Sequence, residues 1–174
     1  GTMKFSIQRE DILKPLQTIV GVVERRQTLP ILSNILMVIN DQVLSMTTTD
    51  LEVEMVARTP LQECENGEIT VPARKFYDIC RALPENANIT ISLDEAIGRL
   101  SVRSVKIRFN LTTLPTTDFP STEEITSQFT FNLPQNALKR LIEKTQFAMA
   151  QQDVRYYLNG LLFEISQGMI RSVA

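Results

Sequence analysis

The chain has 174 residues, 43% hydrophobic and 22% charged, ordinary globular proportions with room for one domain or for one and part of another. Histidine is absent, which removes the commonest general base and metal ligand and puts a Ser–His or Cys–His nucleophile pair out of reach. A net charge of −2 argues, taken alone, against a polyanionic partner, and the six scattered glycines form no phosphate-cradling loop. No apolar run is long enough to span a membrane, and no secretory leader is evident. Gly1 and Thr2 precede Met3 and are expected to be a tag remnant. Cys64 and Cys80 lack metal or redox spacing, so two reduced thiols in a cytoplasmic protein are expected, with no cofactor.

The first strand is expected at 4–8. Ile12, Leu13, Leu16, Ile19, Val20 and Val23 then form an apolar stripe that predicts a helix from about Glu10 to Val23. Glu10 and Asp11 suit its first turn, while Pro15 shifts its start or kinks it. Strands are expected at 35–40 and 42–48. Leu51, Val53 and Met55 alternate with Glu52 and Glu54, a strand with its acids toward solvent. A strand at 68–71 runs through Pro72 into a helix from about Ala73 to Leu83, whose buried face is Phe76, Ile79, Cys80 and Leu83. Strands follow at 88–93 and 98–103, and then Val105, Ile107, Phe109 and Leu111 alternate with Lys106, Arg108 and Asn110. Residues 112–127 hold two prolines and no apolar period, so a linker is expected between domains at 3–120 and 128–174. Beyond it lie a strand at 128–133, a helix from about Gln135 to Ala150, and strands at 158–165 and 169–173. Gln152, Arg155, Tyr156 and Tyr157 form a polar aromatic cluster in an expected loop, where the tyrosines either stack on bases or pack as a pair.

The two halves share a pattern. Phe5 opens a strand running into a basic amphipathic helix, as does Phe131, 126 residues later; Asn34-Ile-Leu-Met-Val-Ile returns as Asn159-Gly-Leu-Leu-Phe-Glu-Ile at an offset of 125. A second copy would stop short at Ala174, so the chain is expected to be the front of a longer protein. Charge is uneven. Arg74, Lys75 and Arg81 against Asp78 give residues 72–84 a net of +2, and Lys139, Arg140 and Lys144 against Glu143 give residues 134–150 the same. Residues 10–26 balance to zero, which leaves −6 for everything outside the helices. An α+β fold with helices in one layer and sheets in the other would be basic on one face and acidic on the opposite one. Two other readings stand beside it. Asp50, Glu52 and Glu54 could serve a hydrolase, although strand alternation already accounts for the glutamates; or the chain is a generic α+β interaction module with no DNA role.

Several motifs in order then resemble the bacterial DNA polymerase III beta subunit, the sliding clamp. They are Met3-Lys-Phe, Thr28-Leu-Pro-Ile-Leu-Ser-Asn, Thr49-Asp-Leu-Glu-Val-Glu, Val71-Pro-Ala-Arg-Lys-Phe, Leu114-Pro with Asp118-Phe-Pro, and Gln152-Asp-Val-Arg-Tyr-Tyr-Leu-Asn-Gly. The resemblance implies a DNA-clamp fold, with antiparallel sheets outside, helices lining the inner face, and a second copy cut short. It implies a non-catalytic processivity factor whose partners are duplex DNA, the DNA polymerase III catalytic subunit, the clamp loader and other clamp-binding proteins. Two subunits would close the ring as a homodimer. By position, Arg26, Arg74, Gln152, Tyr156 and Tyr157 match DNA-contacting residues. Lys75, Lys106, Arg108, Phe109 and Leu111 match the subunit interface, and Leu158 one wall of a peptide pocket.

Overall fold

A computed structural model describes residues 2–23 and 29–120, together with three strands at 153–158, 161–166 and 169–173. The expected strand 128–133, the helix 135–150, and Arg26 and Gln152 lie outside the described residues.

The first unit is built twice from one plan. Strand β1 (Lys4–Gln8) leads directly into α1 (Arg9–Val20), and the meander β2 (Asn34–Asn40), β3 (Val43–Thr49), β4 (Val53–Pro60) follows. After the short β5 (Cys64–Glu65), strand β6 (Gly67–Pro72) leads into α2 (Ala73–Ala82), and the meander β7 (Asn88–Asp94), β8 (Arg99–Ser104), β9 (Ile107–Thr112) follows. The opening strands are exchanged: β1 pairs with β7, and β6 pairs with β2, both antiparallel. The result is one sheet ordered β5-β1-β7-β8-β9 and another containing β4-β3-β2-β6. In this arrangement β4 and β9 are equivalent, each ending its meander.

One core joins the two sheets and both helices. Phe5, Ile91 and Val102 of the first sheet, Met37, Met46 and Met55 of the second, Ile12, Leu16 and Ile19 of α1, and Phe76 and Cys80 of α2 are all buried in it. Period-two burial in the strands and the helical stripe in α1 converge on the same interior. Pro15 sits within α1 without ending it, and the helix begins one residue before the expected start. Burial pushes the Cys80 thiol up to about 12, against a smaller lowering by Arg9, so it stays neutral and is no nucleophile at neutral pH.

Four expectations are corrected. Leu51 is not in a strand: it has φ +79, and β4 starts at Val53. Glu54 does not face solvent; it is 8% exposed and ion-paired with Arg155 at 3.4 Å. The linker expected from residue 112 is folded onto the unit as far as Phe119. Leu114 bridges Thr70 through backbone bonds of 3.1 and 3.2 Å, and Phe119 is buried with Ile31 and Leu32. Pro115 and Pro120 punctuate the chain as a linker would, but Leu114 and Phe119 between them supply apolar anchors. Finally, Tyr156 and Tyr157 lie in a strand, β10 (Asp153–Leu158), and not a loop. β10 pairs with β11 (Leu161–Ser166), which pairs with β12 (Met169–Val173), so the strand expected from 158 starts at Leu161, opposite β10. Asn159-Gly160, a strong hairpin dipeptide, falls between the paired Leu158 and Leu161 and was the available signal. The β11–β12 hairpin lies 126 to 127 residues after β2–β3, close to the offsets of the two sequence anchors.

The β8–β9 turn carries a strained residue. Val105 has φ +44, a conformation β-branched side chains rarely adopt, and is 93% exposed. Left-handed geometry costs about 1–2 kcal/mol, while added glycine freedom in the unfolded chain costs about 0.4–1 kcal/mol. Val105→Gly is therefore expected to stabilise the unit by about 0.5–1 kcal/mol, read as a higher urea midpoint at unchanged slope.

Candidate nucleic-acid interface

The two helices pack against each other antiparallel, and arginines tie both ends of the pair. At the start of α1, Arg9 donates to the carbonyls of Cys80 (3.1 Å) and Arg81 (2.8 Å) in the last turn of α2. At the start of α2, Arg74 donates to the carbonyl of Val23, just beyond α1, at 2.9 Å. These carbonyls have no partner within a helix, so a cation there satisfies them and suits the negative end of the dipole. Thr48, buried in β3, donates to the Ile19 carbonyl at 2.7 Å and pins the end of α1 to the sheet. Glu10 closes the other side by accepting from the Asn86 backbone N–H at 2.6 Å.

Apart from Glu10 and Asp11 in the first turn of α1 and Asp78 on α2, the charged groups that this pair exposes are cationic. Lys14 and Gln17 on α1 and Arg74, Lys75 and Arg81 on α2 reach solvent. An open groove of about 500 Å³ runs past Arg74, Lys75, Tyr77 and Arg81. Asp78 offsets only Arg81, at 3.2 Å in an exposed pair worth little. Arg81 also lies over the Tyr77 ring, 5.3 Å from its centre. A fixed row of cations with no base-reading geometry suits phosphates of any sequence. Of the residues expected to touch DNA, Arg74 is on this surface; Tyr156 and Tyr157 lie on β10, where Tyr156 pairs in register with Val53 of β4.

The acids named as an alternative do structural work. Asp50 Oδ1 accepts from the backbone N–H of Glu52 (3.0 Å) and Val53 (2.8 Å), a local turn closure, while Glu54 pairs with Arg155. Among the described residues, no group of three or more His, Cys, Asp or Glu could hold a metal ion. No helix among them is long and apolar enough to cross a membrane.

The residues expected at the subunit edge fall into two classes. Lys75, Lys106 and Arg108 are exposed and Phe109 is half-buried, but Leu111 is only 4% exposed and belongs to the main core. β9 ends its sheet, and among the described strands it pairs only with β8. Residues 99–112 also carry Arg99, Arg103, Lys106 and Arg108 with no acid, a net of +4 hidden when all non-helical residues are pooled. Leu158, expected in a peptide pocket, has its backbone paired with Leu161.

Comparison with known proteins places this geometry. Residues 3–123 match the family described as DNA polymerase III beta subunit, N-terminal domain, and residues 132–174 match its central domain. The beta sliding clamp of Pseudomonas putida is 59% identical over 173 residues, and that of Escherichia coli K12 is 56% identical over the same length. The match covers 99% of this chain and 47% of each relative, so the chain spans about half the length of the curated relatives it matches. A crystal structure of the Pseudomonas aeruginosa clamp bound to griselimycin aligns with a TM-score of 0.69 at 42% identity, over 99% of this chain and 53% of that one. A Caulobacter crescentus clamp aligns with a TM-score of 0.68 at 33% identity, over 94% and 50%. The chain therefore belongs to the DNA polymerase III beta subunit family, the sliding clamps.

Proposed function

We propose that this chain is the front portion of a non-catalytic ring subunit that encircles duplex DNA and slides on it. The complete protein would act in the cytoplasm and tether the DNA polymerase III catalytic subunit and other clamp-binding proteins, after loading by a clamp loader. The observation that supports this reading is the antiparallel α1–α2 pair, which exposes Lys14 on α1 and Arg74, Lys75 and Arg81 on α2. Cations held on a fixed surface attract phosphates through exchangeable, water-filled contacts, so movement along the duplex meets little resistance. Arg26, Gln152, Tyr156 and Tyr157 would extend this lining, and Leu158 would contribute to the partner-peptide pocket. The domains would divide at 3–120 and 128–174. The free β9 edge, with Lys75 nearby on α2, would meet a second subunit to close the homodimeric ring.

The test is topological. The complete protein, loaded on nicked circular DNA, is expected to persist there and to be lost rapidly once the circle is cut. Equal loss from circular and linear DNA would reject encirclement.

A further inference from the structure

We propose that the ion pair between Glu54 and Arg155 sets the register in which β10 is seated on β4, which makes Arg155 a positioning residue for Tyr156, Tyr157 and Leu158. What those three residues then do rests on the function proposed above; the register itself does not.

The receiving edge is built in advance. The Thr49 hydroxyl donates to the Val53 carbonyl at 2.9 Å and accepts from the Leu51 N–H at 3.0 Å, while Asp50 Oδ1 takes the N–H groups of Glu52 and Val53. These bonds close a turn around Leu51, with its φ of +79, and fix where β4 begins. Glu54 is the second residue of β4 and is buried. A carboxylate held that far from water is strongly destabilising unless a cation meets it.

β10 can bring a cation to it in one register. Its six residues, Asp153–Leu158, include a single cation, Arg155. In the observed pairing Arg155 stands directly opposite Glu54, with the charged groups 3.4 Å apart, while Asp153 opposes Val56, Val154 opposes Met55 and Tyr156 opposes Val53. Sliding β10 by one residue sets Val154 or Tyr156 opposite Glu54, and sliding it by two sets Asp153 or Tyr157 there. None of these is a cation, and facing acids repel. The apolar positions discriminate less, because β4 offers valine or methionine at 53, 55 and 56 alike. A slip of one residue would turn every β10 side chain to the opposite face of the sheet. A buried ion pair adds little net stability over an apolar replacement, yet arrangements that separate its partners are strongly disfavoured. The Glu54–Arg155 pair therefore acts as a selector among pairings of otherwise similar strength.

The experiment uses the complete protein with Cys64→Ser. Val53→Cys is combined in turn with Val154→Cys, Tyr156→Cys, Tyr157→Cys or Leu158→Cys, and disulfide-linked peptides are quantified by mass spectrometry after mild oxidation. With Glu54 and Arg155 in place, the crosslink between positions 53 and 156 is expected to exceed each of the others by about tenfold. Glu54→Gln with Arg155→Gln should bring the others to comparable yield, and the swap Glu54→Arg with Arg155→Glu should restore the original preference. A neutral pair that keeps the parent pattern overturns the proposal, as does a swap that fails to restore it. If the neutral pair does not fold, the swap decides by the same criterion. Retention on nicked circular DNA is then measured for the neutral pair without added cysteines. Slipped crosslinks with unchanged retention would uphold the register selector and remove Tyr156 and Tyr157 from the proposed lining.

Discussion

Replacing Phe76 with alanine is expected to remove about 3–5 kcal/mol from the stability of the first unit. Phe76 is fully buried and is among the largest side chains sealed in the core. It sits one turn into α2, with Ala73 and Cys80 buried on the same face. Its loss would leave a cavity that neither sheet can easily collapse into, because β6 before α2 and β7 after it belong to different sheets. A typical domain holds about 5–15 kcal/mol in total, so the variant should unfold at a far lower urea concentration or fail to accumulate folded. Phe109→Ala serves as the comparison. Phe109 is only half-buried and should cost less than half as much in the isolated chain; equal losses would mean that the core is not centred on α2.

Gly67→Ala is expected to destabilise by about 1–3 kcal/mol through contact alone. A Cβ there would lie 2.7 Å from Met3 Cβ and 3.1 Å from Met3 Cα, where β6 passes the start of β1. Met3 cannot step aside cheaply. It is fully buried, and its carbonyl accepts the Leu93 N–H at 2.9 Å. Gly98 separates space from backbone strain: it has φ +61, yet its nearest neighbour to an added Cβ, Thr113 Oγ1, is 3.6 Å away. Asparagine tolerates that backbone conformation, so Gly98→Asn should be milder than Gly98→Ala. At Gly67 the obstacle is an atom already in place, so asparagine should be no better than alanine. Urea midpoints of the four variants decide this, and a Gly67→Asn protein as stable as the parent would contradict the close approach.

Much of this fold was legible because one-sided burial writes a period into the chain. The stripe from Ile12 to Val23 and the alternation from Val105 to Leu111 each located an element to within a few residues, although Val23 lies past the end of α1 and Val105 in the turn before β9. What failed was whatever depended on a distant partner. Glu54 reads as a solvent residue until β10 arrives beside it with Arg155. Leu114 and Phe119 look like linker residues until Thr70 and Ile31 are known to lie beneath them. The exchange of β1 and β6 between sheets has no local signature, since each strand alternates identically in either place. Charge counting failed differently. Pooling all residues outside the helices hid the basic β8–β9 hairpin among acids from other surfaces. In the candidate lining, Arg74 was named only through the family resemblance; the structure places it exposed on α2, and its bond to Val23 was not foreseeable from spacing.

The two arginine ties have a mechanical consequence. With Arg9 fastening one end of the helix pair and Arg74 the other, neither helix can slip lengthwise without breaking bonds to backbone carbonyls. The spacing of the positive groups is therefore set by the protein and does not yield to whatever passes. In the proposed encircling role, a surface of fixed pitch could not follow the small changes in groove width that accompany different base steps, and would average over them. Its indifference to genetic text would come from stiffness.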